Sequence, residues 1–202
     1  MYQAAIATIR RNYRNISSKD DQHIQEAVSL LLKGIDQEGG KKYPLPVVQL
    51  LKGLGFELYR ARFKNPEQSG VIAVDSTLPE QAGGFQSDRV ILVNELDTTA
   101  HQRFTIAHEL AHYIFDYDEA TQPRYYKPYL TSEKRDETEL RANRFAAELL
   151  MPTDDFRAKF EALKSAQGDA FSLPGTITQL SKFFDAPPTS VELRLRETRI
   201  LS

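Results

Sequence analysis

Two histidines four residues apart, with a glutamate directly after the first, are the part of this sequence best suited to chemistry: His108-Glu109-Leu110-Ala111-His112. Residues four apart on a helix share a face, so both imidazoles can reach one ion at about 2.0–2.1 Å, the usual zinc–nitrogen distance. Glu109 is rotated about 100° from His108 around the helix. It is poorly placed to ligate the same ion but well placed to hold a water bound to it. Zinc lowers the pKa of such a water toward about 7, and Glu109 can take its proton. The pattern therefore predicts a hydrolytic metal site. The bland alternative is a surface histidine pair on a solvated helix face. Cysteine is absent, so disulfides are excluded and any metal must sit on His, Asp or Glu.

A catalytic zinc site takes three protein ligands and keeps one position open. A second helix, expected over residues 135–151, offers Asp136, Glu137, Glu139 and Glu148. Glu137 has Arg141 four residues on, and Glu148 has Arg144 four residues back. Such pairs are favourable on a helix surface, so both glutamates are expected in solvent. Glu139 has no basic residue three or four positions on, where Ala142 and Asn143 stand. Ala142 and Ala146 share its face and would let another helix come close, which makes Glu139 the expected third ligand. Three other residues are weaker candidates. His101 lies two turns before His108 on the same face and either lines the cleft or is simply exposed. Tyr125 and Tyr126 lie between the two helices, where a tyrosine either packs or stabilises the oxyanion of a tetrahedral intermediate. His23 is expected at the surface.

The elements that must position these residues can be read from periodicity and punctuation. An amphipathic helix is expected over 19–38, ending at Gly39-Gly40, and a short one over 45–52. Strands are expected at 56–63, 70–75 and Arg89–Asn94, with a loop at Pro79, Gly83 and Gly84. Asp97 is the expected cap of the histidine-bearing helix, which runs to about Asp116. Residues 116–129, rich in Tyr and Pro, read as a loop. After Pro152 come a helix opened by Thr153, a linker over 167–175, and two short helices over 177–184 and from Ser190 onward. The fold class is α+β. It would have a small antiparallel three-stranded sheet packed with the His-Glu-x-x-His helix and the Glu139 helix, followed by helix-turn-helix-like C-terminal helices. Residues 1–152 would form the catalytic unit and 153–202 a helical region.

Composition narrows the function classes. The balance of 41% hydrophobic and 27% charged residues is that of a globular chain, and the net charge of −2 gives no general pull toward nucleic acid or acidic lipid. No stretch approaches the roughly 20 apolar residues that span a bilayer, and the N-terminus lacks the pattern of a signal peptide. A cytoplasmic location is therefore expected.

Arg103-Phe-Thr-Ile-Ala-His-Glu-Leu-Ala-His112 and Glu139-Leu-Arg-Ala-Asn-Arg-Phe-Ala-Ala-Glu-Leu-Leu-Met-Pro152 closely resemble the two blocks of the ImmA/IrrE family of metallopeptidases. The resemblance covers roughly residues 45–200. It implies a gluzincin-like site, with Zn²⁺ held by His108, His112 and Glu139, and with Glu109 as the catalytic acid and base. It also implies a substrate class, since members cleave transcriptional repressors or act with a partner regulator in toxin–antitoxin-like pairs. Some members carry an N-terminal DNA-binding unit, but residues 1–40 here are helical without a clear version of it.

Three functions therefore compete. The first is a zinc endopeptidase making limited cuts in a regulatory protein, with an extended substrate pairing against a strand edge such as Arg89–Asn94. The second is a zinc-containing binding module that controls a partner regulator without cleavage, for which Glu109 would have no task. The third is nucleic-acid binding through Arg194, Arg196 and Arg199. Glu192 and Glu197 dilute that charge, so strong direct binding is not expected.

Overall fold

The computed structural model describes residues 2–36, 43–80, 85–122, 124–130 and 136–200. Gly39-Gly40, Gly83, Gly84 and position 135, where the sequence suggests element boundaries, lie outside these. In chain order the elements are α1 (Tyr2–Tyr13), α2 (Asp21–Asp36), α3 (Val47–Gly53), β1 (Glu57–Ala61), β2 (Gln68–Asp75), β3 (Arg89–Asn94) and α4 (Thr99–Phe115). They are followed by β4 (Arg124–Leu130), α5 (Glu137–Leu150), α6 (Thr153–Gln167), α7 (Leu173–Phe184) and α8 (Pro188–Glu197). The α+β class holds, but the sheet corrects the sequence reading. It has four strands in the order β1-β3-β2-β4, and it is mixed. β2 runs antiparallel to β3 and β4, while β1 runs parallel to β3.

Both corrections have physical causes. The short connection from β1 to β2 suggests that they are neighbours, a rule that consecutive strands follow only about two-thirds of the time. Here β3 enters between them. Its Val90, Ile91 and Val93 are buried, as an interior strand requires, whereas β1 buries no residue fully. The fourth strand, β4, has the sequence Arg-Tyr-Tyr-Lys-Pro-Tyr-Leu, whose proline makes it look like loop. Tyrosine favours strands, and proline is tolerated at a sheet edge, where no partner needs its missing N–H. The position of β3 also removes it as a docking edge for substrate, since both of its sides are already paired.

α4 packs against α5 and against β2 and β3 of the sheet. Its N-cap is Thr98, whose side chain accepts from the His101 N–H at 3.2 Å, rather than Asp97. Arg103 ties its first turns to the surroundings by donating to the Leu45 carbonyl at 2.7 Å and pairing with Asp185 at 3.2 Å. Asp185 closes α7 in the left-handed conformation. The expected linker over 167–175 is instead the end of α6, a 3-10 turn at Gly168–Ala170 and the start of α7. Phe184, Val191 and Leu195 from α7 and α8 join the same buried cluster as Phe145 and Phe156.

Glu148, expected in solvent beside Arg144, is 5% exposed and pairs with Arg194 from α8. Its carboxylate also accepts from the N–H and hydroxyl of Thr153 at 3.0 and 2.8 Å. A tertiary partner has displaced the weak local pair. Arg194 is thereby committed to the interior and is unavailable to a phosphate. Arg194→Ala should lower the unfolding free energy by roughly 3 kcal/mol, because it leaves a buried carboxylate without its countercharge. A urea titration with unchanged slope and a lower midpoint would show this.

Candidate metal centre

The histidines of α4 are not on a solvated face. The helix is buried from Phe104 through Phe115, with His108 and Glu109 at 0% exposure and His112 at 1%. One cause is a glycine. A Cβ at Gly70 on β2 would lie 2.4 Å from Thr105 Cγ2, so only glycine lets the sheet approach α4 this closely. The other is the face of α5, where Ala142 and Ala146 are buried against neighbouring elements.

Glu139 comes across that helix pair, 6% exposed. Its carboxylate oxygens lie 3.1 Å from His108 Nε2 and 3.2 Å from His112 Nε2, and the two Nε2 atoms are 3.0 Å apart. Ligand atoms of all three residues fall within 4.8 Å of one another. Each ring is fixed from behind. Asn143 Oδ1 lies 3.0 Å from His108 Nδ1, and Asp116 Oδ2 lies 2.5 Å from His112 Nδ1. With those oxygens accepting the outer N–H groups, both Nε2 atoms turn toward Glu139. Ligands about 2.0–2.1 Å from a tetrahedral ion would stand roughly 3.3 Å apart, so two imidazoles and one carboxylate at these separations fit a divalent cation such as zinc.

Burial and charge set the protonation of the group. Burial takes His108 down to about 4, which keeps it neutral. Burial also pushes His112 down, but the hydrogen bonds with Asp116 and Glu139 outweigh it and hold the ring above its ordinary value. Burial raises Glu139, yet hydrogen bonds from His108, His112 and Lys127 bring it well below the usual carboxylate range. Burial pushes Glu109 up to about 8. Neither Glu109 oxygen has a hydrogen-bond partner among the described residues.

Several contributors do not stand out in the sequence as site residues. Lys127 on β4 reaches Glu139 at 2.6 Å, and Tyr129 lies over the His108 ring at a centroid distance of 4.1 Å. Both sit on the strand that looks like loop in the sequence, and their alternation with exposed Tyr126 is the signal that could have found them. Asp116, four residues after His112, is legible as a same-face partner. Arg141 does not serve Glu137. It turns inward to Asp116 and to the Ile16 carbonyl at 3.2 Å, while Glu137 accepts from the Ser17 and Ser18 hydroxyls at 2.9 Å each. Of the weaker candidates, Tyr126 is 68% exposed, and Tyr125 is partly buried beside Tyr117, its phenol raised by burial. His101 lies 3.0 Å from the Ser69 hydroxyl, one strand residue from Gly70. His23 pairs with Asp20 at 2.6 Å, partly exposed as expected.

Residues 51–196 match the sequence profile of peptidase family M78, described as the IrrE N-terminal-like domain. No curated protein matches the chain. A solved structure of a Mycobacterium tuberculosis transcriptional regulator superposes with a TM-score of 0.50 at 17% sequence identity, covering 96% of this chain and 51% of that one. The likeness is one of fold, and this chain spans about half the length of that protein.

Proposed function

This chain belongs to the M78 peptidase family of IrrE N-terminal-like domains, and from that premise we propose that it is a cytoplasmic zinc-dependent endopeptidase making limited cuts in a regulatory protein, such as a DNA-binding repressor or an antitoxin-like partner. The observation that carries the reading is the convergence of His108, His112 and Glu139 beside the buried carboxyl of Glu109, which has no hydrogen-bond partner among the described residues. His108, His112 and Glu139 would hold the ion. Bound zinc supplies Lewis acidity that lowers the pKa of water and polarises a peptide carbonyl.

The chain's own residues do the rest. Glu109 takes the proton of the attacking water and delivers it to the leaving nitrogen, a task suited to a carboxyl whose burial has brought its pKa near neutrality. Asp116 and Asn143 hold the two rings, and Lys127 holds Glu139. β4 is an edge strand whose Lys127 and Tyr129 face the metal group. Its outer edge can align an extended substrate by backbone pairing. A binding module that uses its metal only for structure leaves Glu109 without a task.

Co-expression with candidate repressor-like regulators from the same genome, followed by mass spectrometry, tests the reading. The expected result is one discrete pair of fragments that depends on His108 and His112 and disappears with chelator. An intact partner that nevertheless co-purifies with the zinc-loaded chain would favour regulation by contact alone.

A further inference from the structure

One wall of the cavity beside the metal group comes from the C-terminal helices. The cavity measures about 390 Å³ and reaches Glu139 and Asn143 at its metal end. Away from the metal, one side is apolar, with Phe104, Leu140 and Ala147 from the two central helices and Leu193 from α8, and the other carries the polar side chains of His101, Thr189 and Ser190. Leu193 stands apart from the rest of its helix. Val191 and Leu195 are fully buried in the core, and Glu192 and Arg196 face solvent, while Leu193 is 47% exposed at the cavity. A lone exposed leucine needs no explanation, but one that completes the apolar side of a cavity reaching a metal-group carboxylate does.

We propose that this cavity is the subsite for an apolar side chain, of leucine or phenylalanine size, belonging to a polypeptide laid along the outer edge of β4, which pairs with no strand among the described residues, so that α8 forms part of the substrate cleft. The inference rests on the peptidase reading above. Three observations support it. Tyr129 belongs to β4 and also lines the cavity, so a chain paired with that edge passes the cavity mouth. The volume lies within the roughly 300–1,000 Å³ range of sites that hold small organic groups. The rim charges are already paired, Arg144 with Glu197 at 3.7 Å and with Asp21 at 2.6 Å, which favours an uncharged side chain there. Side chains of an extended peptide point the same way every second residue, about 6.6 Å apart, so one of them would enter while its neighbours stay outside.

Two measurements test this on the full chain. In the first, the zinc-loaded protein is given a mixture of proteome-derived peptides, and the cut sites are read by mass spectrometry. One fixed position within about three residues of the cut should be enriched in Leu, Phe and Met. Leu193→Arg, a change at an exposed position, should lower that enrichment by about tenfold while zinc content stays the same. An unchanged profile in Leu193→Arg, or no preference in the parent, overturns the subsite. In the second, N-acetyl-leucinamide is titrated into the metal-free protein and methyl signals are followed by NMR. Shifts at Leu140, Ala147 and Leu193 that N-acetyl-aspartamide does not produce support the subsite, and absence of such shifts overturns it. Shifts without any peptide cleavage would sink the peptidase reading and leave the apolar subsite standing.

Discussion

Glu139→Ala should bind zinc about a thousandfold more weakly than the parent, whereas Glu137→Ala should bind it as the parent does. The two histidines come from one helix, so only a separate element can complete a three-ligand site. Glu139 supplies that element's oxygens, 3.1 and 3.2 Å from the two Nε2 atoms. Its position on α5 is set twice. Asp136 caps the helix by accepting the Glu139 N–H at 3.0 Å, and Lys127 holds the carboxylate at 2.6 Å. Losing a group that merely orients a ligand costs about 10–100-fold in metal affinity, so losing a ligand should cost more. Glu137 is exposed and engaged with Ser17 and Ser18 on the loop before α2. A competitive titration against a chromophoric chelator measures both variants. Glu139→Gln, which keeps the side-chain volume, separates ligand loss from any loosening of the helix pair. If Glu137→Ala released the metal and Glu139→Ala kept it, Glu139 would not be a ligand and α5 would present a different face to α4.

The choice between those two glutamates separates what a sequence encodes locally from what it does not. Small residues on its face single out Glu139, and Ala142 and Ala146 are buried where a close helix approach needs them. Helical spacing also pairs Glu137 with Arg141 and Glu148 with Arg144, yet Arg141 and Glu148 both take other partners. An i,i+4 pair is worth a few tenths of a kcal/mol on a surface. Partly or fully buried countercharges from other parts of the chain outweigh it, as Asp116 does for Arg141 and Arg194 does for Glu148. Local spacing shows which residues can meet along one helix. It is silent about what arrives from another.

The sheet makes the same point at larger scale. Arg89–Asn94 is legible to the residue, because an unbroken aliphatic run signals a strand buried on both faces. Its place between β1 and β2 is not, since strand order depends on long-range pairing that no local pattern encodes. β4 escapes a local reading because Pro128 outweighs three tyrosines. An edge position removes that objection, and edge status is itself a property of the whole sheet. The cost falls on the site, since Lys127 and Tyr129 both ride on that strand.

Glu109→Gln is expected to keep the fold and the metal while losing cleavage by about 10²–10⁴-fold, the usual contribution of a positioned acid–base group. The fold should survive because neither Glu109 oxygen makes a hydrogen bond among the described residues, so the amide breaks none. Burial holds the carboxyl at about 8, which shows that its charged form is poorly solvated where it sits. A neutral amide avoids that penalty, and the melting midpoint of the metal-free variant should equal or exceed the parent's. The metal should survive because Glu109 projects from α4 about 100° away from His108 and lies outside the converging group of His108, His112 and Glu139. Cleavage should fail because a glutamine has no proton-accepting oxygen of comparable basicity and cannot pass a proton to the leaving nitrogen. Three measurements on one preparation decide the matter: zinc per chain, melting midpoint, and the rate at which the co-expressed regulator is cut. Zinc loss would make Glu109 a ligand. Retained cleavage would move the proton transfer to another group, and Lys127 would be the first to test, since it already reaches Glu139. A variant that folds, holds one zinc and leaves its partner intact would assign Glu109 the chemistry, because nothing else about the site would have changed.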